Sequence, residues 1–334
     1  MSDNSASPAC TPPPGNRSAR KENGHRARNR NSVSVFLHYT HDQDQTMTIL
    51  LTGAAGVLGQ TITALLESLG HTLRLTDLAP LQTPHEFVAA DLSDPAQTTG
   101  LCESIDQVLH VAAIHPWKPY TPQQYLDLNI KGTHNIVAEA ARAGVQRLIY
   151  TSSVGAMGYD VAPDSPLPFD ESRPCRPYDS LYSLSKHAGE QLCRLYAQTA
   201  GLRWLALRPG TFIPRLESDP AYGLALLGIA VHRDDVAQAH VRALQSALYN
   251  DFFIIAAGNR FTKEDAADLA TNAPAAILRR YPEAAELTER GVPLPERLAP
   301  CYDIGKARNL LGYEPQITFD SWLQNWLRQS ERRE

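Results

Sequence analysis

From Thr48 onward the chain alternates two hydrophobic rhythms. The runs TILLT (48–52), TLRLTD (72–77), HEFVAAD (85–91), QVLHVAA (107–113), RLIYTSS (147–153) and RWLALRP (203–209) are apolar at nearly every position. A strand covered on both sides reads this way, because successive side chains point to opposite faces and both faces meet protein. Between the runs lie 57–69, 95–104, 122–143 and 180–200, whose apolar residues recur at helical spacing. Such alternation predicts an α/β fold, a doubly wound parallel sheet with right-handed crossovers. After Pro209 the rhythm loosens. The stretch 210–231 is short and mixed, 232–248 predicts a helix, and DFFIIAAG (251–258) predicts a further strand. The expected division is a sheet domain over 47–209 and a smaller, mostly helical part over 210–334, with 232–258 returning to the sheet.

Residues 1–46 break the pattern. Ser, Pro, Asn and Arg dominate there, and only VSVFLHY offers anything to bury. So little apolar surface does not offset the entropy lost on ordering, so a disordered N-terminal extension is expected, with Met47 as the natural start. The rest has ordinary globular composition: 334 residues, 43% hydrophobic, 20% charged, net charge −5. That charge argues against nucleic acid as the main partner, and no apolar run approaches the roughly 18 residues a membrane span needs. The cysteines (10, 102, 175, 193 and 301) are scattered without a Cys-x-x-Cys pair, and the histidines show no ligand spacing. Neither a disulfide framework nor a metal site is expected, and a reducing cytoplasm is the default compartment.

Chemistry enters with TGAAGVLG. It places Gly53, Gly56 and Gly59 three apart between a predicted strand and a predicted helix. Such glycines permit a tight turn, close approach of backbone to a pyrophosphate, and close helix–strand packing, while the helix N-terminus attracts the phosphates. Asp77 ends the second predicted strand 18 residues beyond Gly59. There its carboxylate would accept hydrogen bonds from an adenosine ribose and repel a 2′-phosphate, which predicts a Rossmann domain for NAD rather than NADP.

YSLSK sets Tyr182 and Lys186 four apart, hence on one helix face. A phenol titrates near pH 10, and a neighbouring ammonium together with a cationic nicotinamide would stabilise its phenolate. Tyr182 could then take a hydroxyl proton as a hydride leaves. Ser153, in YTSSVG, should emerge at the carboxyl edge of the sheet and hold the reacting oxygen. Asn129, in NIKGTHN, could support Lys186 through backbone and water. His115 lies in a loop positioned to meet substrate, and Trp117 is either a substrate wall or loop packing. Arg208 could bind an anionic substrate group or form a buried ion pair with Asp234 or Asp235. His110 is expected to be a satisfied core residue.

Taken together, TGAAGVLG, Asp77, ADL (90–92), HVAA (110–113), NIKGTHN, TSS, YSLSK, LRPG (207–210), VHRDDVAQA (231–239) and YDIGKARNLLGYEP resemble the extended short-chain dehydrogenases/reductases, the NAD-dependent epimerase/dehydratase family. The resemblance runs from Thr48 to about Trp326. It implies a Ser153–Tyr182–Lys186 triad assisted by Asn129, and NAD held by Gly53, Gly56, Val57, Leu58, Gly59 and Asp77. It also implies cofactor contacts at Asp91, Leu92, Ala112 and Ala113, and from Tyr182 and Lys186. A homodimer through 122–143 and 180–200 is implied as well. Many sugar epimerases of the family carry Val-Tyr-Gly where this chain has AMG (156–158), so Met157 stands where an aromatic wall would be. Only about two dozen residues separate Arg208 from Asp234, where nucleotide-sugar epimerases insert a longer segment. Arg208, Arg215 and Arg233 are its anion partners. In that shortness, and in LRLTDLAPL, the chain is more similar to uronate dehydrogenases, yet Val154 and Gly155 replace the Asn-His pair those enzymes carry after the serine.

The leading expectation is an NAD-dependent oxidoreductase that moves a hydride from a secondary hydroxyl of a small sugar-like substrate to NAD. The runner-up is a nucleotide-sugar epimerase or dehydratase with tightly bound NAD. A non-catalytic NAD sensor is a third reading, which an intact Ser/Tyr/Lys set argues against.

Overall fold

Residue parity along the strands explains the architecture. Leu50, Val108, Leu148, Tyr150, Trp204 and Ala206 point to one side of a sheet and pack on Ile136, Val137, Ala140 and Cys193. Their sequence neighbours Ile49, Leu51, Leu109, Ile149, Leu205 and Leu207 point to the other side, onto Leu58, Ile62, Leu66 and Val236. Period-two alternation of apolar with apolar is what a doubly covered strand requires.

The computed structural model describes residues 46–161, 165–212 and 219–331. The expected extension over 1–46 (all but its last residue), Cys10 and Arg215 lie outside the described residues. Among the described residues there are seven strands: β1 (Thr48–Thr52), β2 (Thr72–Asp77), β3 (Glu86–Ala89), β4 (Gln107–His110), β5 (Arg147–Thr151), β6 (Trp204–Pro209) and β7 (Asp251–Ile255). They form one sheet in the order β3-β2-β1-β4-β5-β6-β7, every neighbour parallel. The chain leaves β1 toward β2 and β3, then returns to β4 on β1's other side. A crevice for ligand opens at such a reversal, outside the carboxyl ends of the strands.

Several strands stop before their apolar runs do. After β4, the Val111 and Ala112 N–H groups donate to Thr52 Oγ1 (3.2 Å each), which turns the chain out over that crevice. The main helices are α1 (Val57–Ser68), α2 (Gly132–Ala143), α3 (Leu181–Ala200), α4 (Pro220–Leu226), α5 (Arg233–Gln245) and α6 (Phe319–Glu331). The helix predicted over 95–104 contracts to one turn, Pro95–Thr98, because Thr99 swings to extended backbone. The helix predicted over 122–143 is interrupted. A turn capped by Thr121 and Gln124 leads into a π-helical stretch, Tyr125–Lys131, before α2 begins.

Beyond β6, Thr211 bridges to Ala230, so the intervening segment closes on itself. α5 packs beside α1 and β7 pairs with β6, which places 232–258 against the sheet. The C-terminal stretch is tied there by Asp235, whose carboxylate accepts the Gln316 and Ile317 N–H groups (2.7 and 3.1 Å). Among the described residues, no helix is long and apolar enough to cross a membrane.

Candidate active site

The turn between β1 and α1 is built from backbone approaches too close for any side chain. Gly53 has φ +73°, and a Cβ there would lie 2.7 Å from the Ala112 nitrogen. One on Gly59 would lie 2.1 Å from the Gly53 carbonyl oxygen. Gly56 differs: it is exposed, and its Cβ would meet only that same oxygen, at 3.2 Å. α1 begins at Val57 with no side-chain cap and no acid in its first turn, which leaves the N–H groups of that turn open to an anion. Leu58 is buried beneath the turn.

Asp77 closes β2 beside this turn. Its carboxylate accepts the Ala55 N–H at 2.9 Å and the Ala79 N–H at 3.0 Å, which fixes its orientation. Arg74, the nearest cation in sequence, faces away. It pairs with Glu86 (2.9 Å) and donates to the Leu101 and Glu103 carbonyls. After β3, Asp91 accepts the Ser93 N–H, and the Leu92 carbonyl accepts from Asn135. Ala112 and Ala113 follow β4 at the crevice. The glycine turn, the uncapped helix start and the oriented acid together fit a dinucleotide.

Ser153, Tyr182 and Lys186 meet at the carboxyl end of β5. Ser153 caps a short turn, Val154–Met157, and its Oγ accepts the Gly155 N–H at 3.1 Å. Its hydroxyl acts on the Tyr182 phenol, lowering its pKa. α3, capped by Ser180, carries both Tyr182 and Lys186 on the face turned inward. Lys186 is buried, and its Nζ donates to the Thr151 carbonyl at 2.8 Å. Burial lowers this ammonium to about 7. Burial also pushes the Tyr182 phenol above its ordinary range, opposed by the Ser153 hydrogen bond. The Lys186 ammonium stands 5.9 Å from the centroid of the Tyr182 ring.

Asn129 sits in the π-helical stretch, buried. Its side chain accepts the Ile114 N–H (2.8 Å) and donates to the Ile114 carbonyl and the Ser185 hydroxyl (3.0 Å each). It therefore clamps the loop after β4 to α3, one residue short of the lysine it was expected to support. The clamped loop presents His115, whose ring lies 5.4 Å from that of Tyr182 and 6.4 Å from that of Phe212. Burial and the Lys186 charge hold this imidazole neutral, down to about 3. Trp117, next along, is exposed. His110 is the satisfied core residue expected, bonded to Thr52 and Thr133.

Arg208 corrects an expectation. It is buried and pairs with neither Asp234 nor Asp235, but with Glu190 of α3, at 2.7 and 2.8 Å. Ser152 donates to the same carboxylate at 2.7 Å. Glu190 was missed because its role needs α3 packed on β6; its only sequence signal is its place four residues after Lys186. Cys175, His187 and Glu190 present ligand atoms within 4.8 Å of one another. A metal cation would enter there against the Arg208 guanidinium, which donates to Cys175 Sγ (3.3 Å) and already holds Glu190. Met157, expected in place of an aromatic wall, is fully buried in the core. Tyr159, two residues on, brings a phenol over Gly155, in the turn that Ser153 caps.

Comparison with known proteins gives the family. The sequence profile of the NAD dependent epimerase/dehydratase family matches residues 49–220. A uronate dehydrogenase of Pseudomonas syringae pv. tomato is 35% identical over 170 residues, 50% of this chain and 60% of that one. A uronate dehydrogenase of Pseudomonas putida is 31% identical over 200 residues, 59% of this chain and 70% of that one. Among solved structures, the glucuronic acid dehydrogenase of Chromohalobacter salexigens matches with a TM-score of 0.61 at 26% identity, over 85% of this chain and 90% of that one. The chain belongs to the NAD-dependent epimerase/dehydratase family.

Proposed function

We propose that the protein is an NAD-dependent dehydrogenase that oxidises a secondary hydroxyl of a small sugar-like substrate, with sugar acids of the uronate class first among candidates. The observation that carries this reading is the convergence of Ser153, Tyr182 and Lys186 beside the turn of Gly53, Gly56, Val57, Leu58 and Gly59. Tyr182 receives the proton of the substrate hydroxyl, and Ser153 hydrogen-bonds the same oxygen and fixes its position. Lys186 stands behind the phenol, held by the Thr151 carbonyl. His115 offers a neutral imidazole beside the phenol to a substrate hydroxyl or carboxylate. Bound NAD would take the hydride and, as a cation in its oxidised form, favour the Tyr182 phenolate. Asp91, Leu92, Ala112 and Ala113 border the cofactor's path along the sheet edge. Residues 47–209, with 232–258, form its binding domain, and the remainder of 210–334 shapes the substrate side.

A homodimer through α2 and α3 belongs to the same reading. Leu184 and Leu195, eleven residues apart and so on one face of α3, are both exposed. The free thiols at 102, 175, 193 and 301 suit a cytoplasmic location. The test is a screen of glucuronate and other uronates, neutral sugars and sugar nucleotides with NAD, read as NADH formation. Tyr182→Phe should lower kcat by about a hundredfold or more with NAD affinity nearly unchanged, since it removes a transferable proton and little surface. Full activity in that variant would move proton transfer elsewhere.

A further inference from the structure

A second phenol, that of Tyr159, reaches the turn that Ser153 caps. After the turn at Val154–Met157 the chain doubles back, so that Tyr159 lies over Gly155. A Cβ at Gly155 would stand 2.8 Å from the Tyr159 hydroxyl and 3.0 Å from Ser183 Oγ. Because the Gly155 N–H itself donates to Ser153 Oγ, the bare Gly155 brings phenol and serine together. The Ser183 proton is already committed elsewhere. Its Oγ donates to Asp179 at 2.9 Å and accepts from Ser180 at 3.1 Å.

A serine hydroxyl has one proton and two lone pairs. At Ser153 one lone pair takes the Gly155 N–H. We propose that Tyr159 is a positioning residue: its O–H donates to the other Ser153 lone pair and leaves the serine proton aimed at Tyr182 and the reacting oxygen. Ser153 is then a one-way donor. It stabilises the phenolate of Tyr182 when that forms, and no alternative orientation of its proton competes. Without the Tyr159 hydroxyl a lone pair is free, the proton is no longer directed, and the phenolate loses part of its stabilisation.

The groups facing Tyr182 are Lys186 on its own helix, His115 from the loop after β4, and Tyr125 and Tyr159. Facing Tyr159 are Asp179 and Tyr302. The Tyr159→Phe variant leaves the others in place; it removes the hydroxyl under test and with it the charge that an ionised Tyr159 would place beside Tyr182, which acts in the opposite direction.

The role of Ser153 toward substrate rests on the dehydrogenase reading; its orientation toward Tyr182 does not. The experiment is therefore an alkaline titration of tyrosinate absorbance with NAD bound, each background measured against its own Tyr182→Phe partner. Tyr159→Phe should raise the Tyr182 midpoint by about one pH unit. With a uronate as substrate, kcat should fall about tenfold with KM little changed, and the alkaline-going limb of the rate profile should move up with the midpoint. Gly155→Ala, which crowds the same phenol while keeping its hydroxyl, should shift the midpoint in the same direction. The double variant should add nothing beyond Tyr159→Phe. A Tyr182 midpoint unmoved in Tyr159→Phe overturns the proposal. If no uronate is turned over, the dehydrogenase reading fails while the titration still decides the role of Tyr159.

Discussion

On the proposed reading, one carboxylate decides which dinucleotide the turn accepts. Asp77 is held by two backbone N–H groups, from Ala55 and Ala79, so it cannot swing away from a ribose placed at the end of β2. A 2′-phosphate there would meet a fixed negative charge, and Arg74 is engaged with Glu86 and two carbonyls rather than free to offset it. Wild-type protein should bind NAD in strong preference to NADP. Asp77→Asn should weaken NAD by about tenfold, the worth of a charged hydrogen bond, while improving NADP. Comparable affinities of the wild type for both cofactors, by calorimetric titration, would show that Asp77 does not read the ribose. This carboxylate was legible in the sequence because its function depends on local spacing: a strand, a glycine turn and an acid some twenty residues on. Tyr182 and Lys186 were legible for the same reason. The pairing of Arg208 and the place of Tyr159 were not. The partner of Arg208 lies on a different element, and the phenol of Tyr159 comes over the turn after Ser153 where Gly155 leaves space.

At the scale of elements, α3 does more than display Tyr182 and Lys186. One step further along the same face, Glu190 joins the helix to β6 through Arg208 and to the end of β5 through Ser152. This buried pair sets the distance between the helix carrying the phenol and the strand end carrying Ser153. Removing one partner leaves the other charge buried and uncompensated, which costs about 3–5 kcal/mol. Glu190→Gln should therefore lower the unfolding free energy by that order. Adding Arg208→Met should recover part of the loss, because the pair as a whole contributes far less than the penalty for breaking it. Equal stability of Glu190→Gln and wild type in denaturant titration would count against the pair as a structural tie. Periodicity could foresee that a helix runs over 180–200, but not the π-helical stretch in 125–131. One extra residue per turn leaves the apolar spacing almost untouched, yet it turns Asn129 onto Ile114 and Ser185. Tertiary hydrogen bonds choose that geometry, and the local pattern does not encode them.

At the scale of the whole molecule, the parallel sheet and its two-sided burial were legible in the apolar runs, whereas the strand order, and with it the crevice, is seen only in the structure. What the reaction does with its hydride depends on the substrate side. An epimerase returns the hydride to the molecule it came from, so it must retain both cofactor and intermediate, and a nucleotide handle supplies the binding energy for that. Here the segment after β6 closes quickly: the Thr211 N–H donates to the Ile229 carbonyl at 2.8 Å, and the Val231 N–H donates to the Thr211 carbonyl at 3.0 Å. Between them stand one short helix, Pro220–Leu226, and residues 213–218, which lie outside the described residues. A loop so short offers little surface for gripping a nucleotide. Net oxidation makes the opposite demand, that reduced cofactor leave in every cycle. Protein purified without added cofactor should therefore contain well under one equivalent of NAD. With a turned-over substrate, NADH should accumulate in step with product over many turnovers. Stoichiometric NAD surviving purification, together with interconversion of a sugar nucleotide and no NADH, would assign the same Ser153, Tyr182 and Lys186 to an epimerase.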